Sequence, residues 1–321
     1  MPRQPSTEGK RGLSDAEAGL FARYGIDPRV RTVTLRTPPI SLGVCETGSG
    51  EPALLMHGIT LSTVHWAPLM ARLGSLRCIA IDMPGHGRSS SVDFTGVDLR
   101  SWHTTMLQAS LDALGLRSAH MIGHSYAGMF ALWLALDAPE RVRSVISIGT
   151  PSVGLGARPD ALFKMLAVPG IGRSVLALPS PLPVYRRLLA RALGRPALQA
   201  SPPELVRATY LASRRPGLAM TASSYLREQF RGMRATPQRY VLNDSELAGI
   251  QPPVLVIWGD RDTRYQPIAE GRRKTELIPG ARFGLVTGGH EPWLDDADGC
   301  AKLITQFLAD VSTHPQRNPL S

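Results

Sequence analysis

The chain has 321 residues, 43% of them hydrophobic, three cysteines and a formal net charge of +10. That length suits one large α/β domain, or a core with an insertion. No apolar run approaches the roughly 18 residues of a membrane span, and three distant cysteines, Cys45, Cys78 and Cys300, argue against a disulfide framework or a Cys-based metal site.

The first twelve residues are polar and basic, with no signal-like segment after them, so the expected setting is reducing and cytoplasmic. Ser14-Asp15-Ala16-Glu17 reads as a capping box that opens a short helix toward Tyr24, ended by Gly25 and Pro28. Residues 1–29 are expected to be a peripheral extension. Runs at 31–35 and 40–46 read as an antiparallel strand pair split by Pro38 and Pro39. Strands follow at 52–56 and 77–81. Residues 98–114 read as a helix, with Leu99, Trp102, Met106, Leu107, Leu111 and Leu114 at helical spacing and Gly115 just past its end.

The next stretch organises the chain. Residues 119–122 form a short apolar run that reads as a buried strand, and 126–136 read as a buried helix rich in Ala, Leu and Met. Between them stand Gly123, His124 and Ser125. Passing from strand to helix within about two residues requires a sharp turn flanked by small side chains. Such a turn lifts the Ser125 hydroxyl clear and aims the free N–H groups of the helix at whatever Ser125 attacks. Ser125 is therefore a candidate nucleophile. The pattern is G-x-S-x-G with Ala127 in place of the second glycine.

A further strand is expected at 144–148. Strands alternating with helices imply a mostly parallel sheet with right-handed crossovers, and reactive groups outside the strands' carboxyl ends. From 151 to 250 that rhythm stops. Pro and Gly breaks separate short amphipathic helices at 183–193, after a cap at Ser201, and at 217–230. Between residues 158 and 239 there are 14 Lys and Arg against three acids, while the remainder of the chain carries 22 and 23. The whole charge excess therefore sits in one segment, which reads as a separate helical cap. No helix-turn-helix, zinc or RNA-module signature accompanies it, so no nucleic-acid partner is expected. The sheet resumes at 254–258, followed by a helix at 267–277, a last strand at 282–286, a helix at 299–311 and a polar tail from 313 to 321.

A serine hydroxyl needs a neighbouring base, usually His, and that His needs an acid to fix its tautomer. Both must come from loops after later strands. Trp258-Gly259-Asp260-Arg261-Asp262 follows one strand, and Thr287-Gly288-Gly289-His290 follows the next. His290 is the candidate base and Asp262 the candidate acid. Asp262 is preferred over Asp260 because it leaves more loop after Gly259 to bend back. His57, His86 and His124 lie too early in the order and read as structural. His65, His103, His120 and His314 have no assigned role.

These residues resemble the α/β-hydrolase superfamily over about 30–150 and 250–312. The resemblance rests on His57-Gly58, the run Asp82-Met83-Pro84-Gly85-His86-Gly87-Arg88-Ser89, Gly123-x-Ser125, Gly259-x-x-Asp262 and Gly289-His290, all in the family's order. It implies an α/β fold: a mostly parallel twisted sheet flanked by helices, with a core at 30–150 and 251–312 and a lid at 151–250. It also implies an oxyanion hole on the backbone N–H groups of Ile59 and Tyr126. The expected chemistry is hydrolysis of a carboxylic ester through an acyl-enzyme, without metal or cofactor. A serine nucleophile points away from haloalkane dehalogenases and epoxide hydrolases, which use Asp. Two alternatives stand beside it: a carbon–carbon hydrolase or cofactor-free lyase on the same triad, and a small-molecule receptor with vestigial hydrolysis. The expected partner is a small ester. The cap arginines could favour an anionic ester or thioester, and docking of the basic helix on a membrane surface is a remoter reading. Stable membrane insertion is not expected.

Overall fold

The computed structural model describes residues 7–152, 154–158, 160–230, 240–263 and 265–313. Its eight strands are β1 (Arg29–Thr34), β2 (Ser41–Thr47), β3 (Glu51–Met56), β4 (Leu76–Ile81), β5 (Ala119–His124), β6 (Val142–Ile148), β7 (Val254–Gly259) and β8 (Arg282–Val286). They form one sheet in the order β1-β2-β4-β3-β5-β6-β7-β8. β2 runs antiparallel to β1 and β4, and every other neighbouring pair is parallel.

A parallel sheet must be covered on both faces, and the strand sequences show it. All six residues of β5 and of β7 are buried. Successive side chains go to opposite faces. Leu54, Met56, Ile79 and Met121 pack in one cluster, with Phe130 and Trp133 of α4 (Tyr126–Asp137) and Leu107 of α3 (Leu99–Ala113). Ala53, Leu55, Ala80 and Ile122 pack in the other, with Ile304 and Phe307 of α14 (Ala297–Thr313). Ten of the twelve residues of α4 are buried, which is why its sequence is apolar all round.

Two short elements follow β3: a 3₁₀ turn at Thr63–Trp66 and α2 (Ala67–Met70). Between β6 and β7 the chain runs through α5 (Ala161–Leu166), α6 (Ile171–Ala177), α7 (Leu182–Leu193), α8 (Arg195–Ala200), α9 (Pro203–Ser213), α10 (Leu218–Phe230) and α11 (Asp244–Ala248). α12 (Ile268–Thr275) joins β7 to β8, and α13 (Pro292–Asp295) precedes α14. Among the described residues, no helix is long and apolar enough to cross a membrane.

Two expected helix starts are corrected. The first helix, α1, spans Thr7–Arg23, so Ser14 lies inside it rather than at its cap. No proline stands between Thr7 and Ser14 to stop the helix extending backward. α1 packs along α9, and its buried Glu17 pairs with Arg88. Ser201 does not cap α9 either. Its hydroxyl donates to Ala197 O at 2.7 Å and so closes α8, while α9 starts at Pro203 behind Pro202. His314 and residues 314–321 of the expected tail lie outside the described residues.

The Asp82 to Ser89 run is a scaffold turn. Asp82 Oδ1 accepts from the Thr63 N–H at 2.9 Å, and Oδ2 from the Arg88 N–H at 2.9 Å. Ser89 Oγ accepts from the Gly43 N–H at 2.9 Å. The chain just beyond it holds α10, where Thr221 Oγ1 and Ser224 Oγ accept from the Val92 and Phe94 N–H groups at 3.0 Å each.

Candidate active site

Strands β3, β5, β6, β7 and β8 are consecutive neighbours, so their carboxyl ends form one row. The loops after them carry Ile59, Ser125, Thr150, Asp262 and His290. Successive connections leave β3 and β5 in opposite directions along the sheet, which opens a crevice at that point.

Ser125 joins β5 to α4 with φ 54° and ψ −122°. A non-glycine residue held there stores on the order of 1–3 kcal/mol of strain. Its surroundings over-determine the turn. The Ser125 N–H donates to Ile148 O at 3.2 Å, and the Gly128 N–H donates to Ser125 O at 2.9 Å. The close approaches fall on two glycines: a Cβ on Gly123 would stand 2.4 Å from Ala127 O, and one on Gly128 would stand 2.4 Å from Ser147 Oγ. Ala127 itself is a buried residue of the first turn of α4. The small residue demanded beyond Ser125 is therefore Gly128, and the motif's departure at 127 falls where a methyl group fits.

His290 bridges the other two side chains. Its Nε2 is 3.0 Å from Ser125 Oγ, and its Nδ1 is 2.9 Å from Asp262 Oδ2. With Nδ1–H donating to the carboxylate, Nε2 is left to accept from the serine hydroxyl. Asp262 is 2% exposed. Its Oδ2 also accepts from the Thr150 N–H at 3.0 Å and the Thr150 hydroxyl at 2.9 Å. Burial works to raise the Asp262 carboxyl, but the His290 charge, its hydrogen bond and the Thr150 donors outweigh it and hold the group below the usual carboxylate value. Asp260 instead accepts from the Gly288 N–H at 2.9 Å and shapes the loop.

Sequence reasoning passed over Thr150. The signal was topological: it follows Gly149 at the end of β6, and β6 is the neighbour of β7, whose loop supplies Asp262.

Ile59 and Tyr126 flank Ser125 in the lining of one cleft. Tyr126 opens α4, so its N–H belongs to the first-turn donors that the helix cannot satisfy. The Gly58–Ile59 peptide is anchored through Gly58 O, which accepts from His57 Nδ1 at 2.8 Å and from the Leu61 N–H at 3.2 Å. His57 Nε2 in turn accepts from the Met83 N–H at 2.9 Å, which fixes the proton on Nδ1. Burial first, and the neighbouring His86 second, hold His57 well below the ordinary imidazole value, so its ring is neutral. His86 accepts from the Thr60 N–H at Nε2, 3.0 Å away. His124 Nε2–H donates to His290 O at 3.0 Å. His65 and Thr209 are linked at 3.0 Å, His103 bonds to Leu99 O, and His120 lies between Ser144 and Glu51.

The cleft has an empty volume of about 410 Å³. Its walls are Phe163, Tyr225, Leu226, Phe230 and Tyr265, with Ser152, Gln229 and Arg158 as polar members beside Ser125 and Thr150. Gln229 Nε2 donates to Ser152 Oγ at 2.9 Å. α10 thus supplies one wall. Among the described residues no cluster of His, Cys, Asp or Glu could hold a metal ion. The three cysteines are buried and free, and burial pushes the thiols of Cys45 and Cys78 up to about 12.

Glu291, next to His290, is a buried acid the sequence reading did not single out. Its Oε1 is 3.9 Å from His124 Nε2, and Oε2 has no hydrogen-bond partner among the described residues. Burial pushes its carboxyl from the usual 4.5 up to about 7, against the lowering effect of His290 and with Asp262 and Asp295 adding to the rise. A carboxyl whose pKa rises on folding favours the folded state when protonated. That contribution is full below the unfolded value and is lost as pH climbs through the folded one. The window here runs from pH 4.5 to about 7, with about 3 kcal/mol at stake across it. Glu291→Gln is expected to flatten that decline, giving a higher denaturation midpoint than wild type at pH 8 and a smaller difference at pH 5. Urea unfolding at the two pH values checks it.

The family model for the alpha/beta hydrolase fold matches residues 52–297. A 2-hydroxy-6-oxononadienedioate/2-hydroxy-6-oxononatrienedioate hydrolase of Paraburkholderia phymatum is 27% identical over 278 residues, covering 82% of this chain and 89% of the relative. A carboxylesterase structure from Bacillus subtilis superposes with a TM-score of 0.74 at 21% identity, covering 95% of this chain and 99% of its own. A meta-cleavage product hydrolase from Pseudomonas fluorescens superposes with a TM-score of 0.69 at 24% identity, covering 88% and 98%. With the family model spanning well over half its length, this chain belongs to the α/β hydrolase fold family.

Proposed function

We propose that the chain is a serine hydrolase that cleaves an acyl bond with Ser125 as nucleophile, His290 as general base and Asp262 as its orienting acid. The observation that carries this reading is the unbroken chain of contacts from Ser125 Oγ through the His290 ring to Asp262 Oδ2, at 3.0 and 2.9 Å. Ser125 Oγ attacks an acyl carbon as its proton passes to His290 Nε2. The new carbon–oxygen bond leaves negative charge on the carbonyl oxygen, and the Ile59 and Tyr126 N–H groups receive it; one such donor is worth about 3–4 kcal/mol. His290 then returns the proton to the leaving atom as its bond to the acyl carbon breaks. Water, deprotonated by His290, releases the acid and restores Ser125.

The leaving atom decides between two substrate readings. An ester loses an alkoxide oxygen, and a ring-fission product loses a carbon. We favour the carbon–carbon reading over the simple ester. The relative from P. phymatum is named for a substrate with two carboxylates, and Arg158 lines this cleft beside aromatic and aliphatic walls. A cation at the rim and an apolar interior suit an extended, anionic, conjugated acid.

The test pairs an active-serine probe with a substrate panel. A fluorophosphonate is expected to label the wild type, and 2-hydroxy-6-oxodienoic acids are expected to turn over faster than short nitrophenyl esters. Faster ester turnover would return the assignment to a carboxylic ester hydrolase. No labelling of the folded protein would sink the nucleophile.

A further inference from the structure

Eight large hydrophobic side chains are exposed among the described residues. Six of them, Met165, Ile171, Val175, Leu178, Val184 and Leu188, fall within 24 consecutive positions on α5, α6, α7 and the loop between the last two. Leu178 is 66% exposed and Leu188 52%. Scattered exposed aliphatics need no explanation, but a run of this density does.

The spacing makes faces of them. Ile171 and Val175 are four residues apart on α6, and Val184 and Leu188 are four apart on α7. The inner side of α7 is already satisfied. Leu189 and Leu193 are buried there against Leu61, Leu198 and Val206. Packing therefore accounts for half of the apolar character of α7 and leaves Val184 and Leu188 unaccounted for. The connecting loop between them carries Leu178, Pro179 and Pro181 outward.

The charge says what covers this face. Residues 161–203 hold six Lys and Arg and no Asp or Glu. Arg173, Arg186 and Arg187 make no ion pair among the described residues, and all three are exposed. Exposed aliphatics flanked by unpaired arginines are the pattern of a helix lying in the interface of an anionic membrane. A second copy of the chain fits badly, because a self-complementary contact would set like charges against each other with no acid between them.

We propose that the exposed faces of α6 and α7, with the loop that joins them, dock on an anionic lipid bilayer. Aliphatic side chains of α6, α7 and their loop enter the headgroup boundary, and the arginines meet lipid phosphates. α5 also contributes Phe163 to the cleft, and α6 packs on α10, which supplies a cleft wall. α6 therefore links the docked surface to the wall of the cleft beside Ser125.

Flotation of the full chain with vesicles tests this. Vesicles of phosphatidylcholine with 30% phosphatidylglycerol are compared with phosphatidylcholine alone. Binding is expected to be at least about tenfold stronger on the anionic vesicles and to weaken in 0.5 M salt. Leu178→Glu with Leu188→Glu, and separately Arg186→Glu with Arg187→Glu, are expected to cut that binding by about tenfold or more. Both pairs are expected to leave turnover of a small soluble substrate unchanged, which verifies folding. Equal binding to neutral vesicles, or no binding to either, overturns the proposal. So does sedimentation showing a dimer that the leucine variants dissolve, which would make the face a contact between copies.

Discussion

Ser125→Ala is expected to lower turnover by about 10⁴- to 10⁶-fold and to abolish fluorophosphonate labelling, with little change in the unfolding midpoint. In the proposed reaction the substitution removes one oxygen and with it the covalent route. The strained backbone at φ 54° stays, because Ala carries the same Cβ restriction as Ser. His290 Nε2 loses the hydroxyl that it now meets at 3.0 Å, at a position facing the cleft, where water can replace it. What remains is substrate binding and the oxyanion donors, so the residual rate measures their share. Stopped-flow kinetics on a chromogenic substrate distinguish two outcomes. Loss of the acylation burst together with steady-state turnover supports a covalent path. A variant retaining more than about one hundredth of the wild-type rate would assign the attack to water activated by His290 instead.

Asp262→Asn is the second large effect, on the order of 10³- to 10⁴-fold in kcat. Its interest lies in Thr150. Oδ2 of Asp262 accepts three hydrogen bonds, from His290 Nδ1–H and from the N–H and hydroxyl of Thr150. Oδ1 is buried with no hydrogen-bond partner among the described residues. An Asn that puts its oxygen in the Oδ2 place preserves all three bonds and leaves its NH₂ where Oδ1 was. An Asn turned the other way would face its NH₂ to the Thr150 N–H, donor against donor. Thr150 therefore selects the first orientation and keeps the His290 tautomer. The expected loss is then that of the negative charge alone, toward the lower end of the range. Thr150→Val removes the hydroxyl but keeps the N–H that opposes the amide, so the orientation is expected to survive and the two changes to add in kcat. The double-mutant cycle in kcat checks it; a loss beyond additivity would mean that the hydroxyl rather than the N–H chooses the orientation.

Much of the architecture was legible in the sequence for a physical reason. The strands inside the sheet have compact apolar runs, because a covered sheet demands it, while the edge strands β1 and β8 bury one residue each. β5 and α4 stood out most clearly, since both are apolar on all sides and separated by a single small-residue turn. The order Ser125, Asp262, His290 was legible because each follows a strand end, and the fold brings those ends into one row. The segment after β6 was harder. α5, α6 and α8 have six or seven residues each, too few for a helical period to declare itself. The 3₁₀ turn and α2 after β3 have four residues each and are held by tertiary packing, with Trp66 stacked on Trp293 at 4.5 Å between ring centres. Thr150 and Glu291 escaped notice because nothing local distinguishes a threonine after a glycine, or a glutamate after a histidine. Their roles arise from which strands are neighbours.

The hydrogen-bond chain from Met83 through His57 to Gly58 has a consequence for how the site meets acid and substrate. A peptide group is rigid, so holding Gly58 O on one side dictates the heading of the Ile59 N–H on the other. Protonation would leave Nδ1–H on that oxygen but would set a second N–H against the Met83 N–H, so the contact with Met83 requires the neutral ring. Burial keeps the ring neutral well into the acid range. The loop amide thus behaves as a compass needle locked before the substrate arrives. In the proposed reaction it needs no reorientation when charge develops on the carbonyl oxygen, and protonating His57 would cost the Met83 contact rather than the one to Gly58.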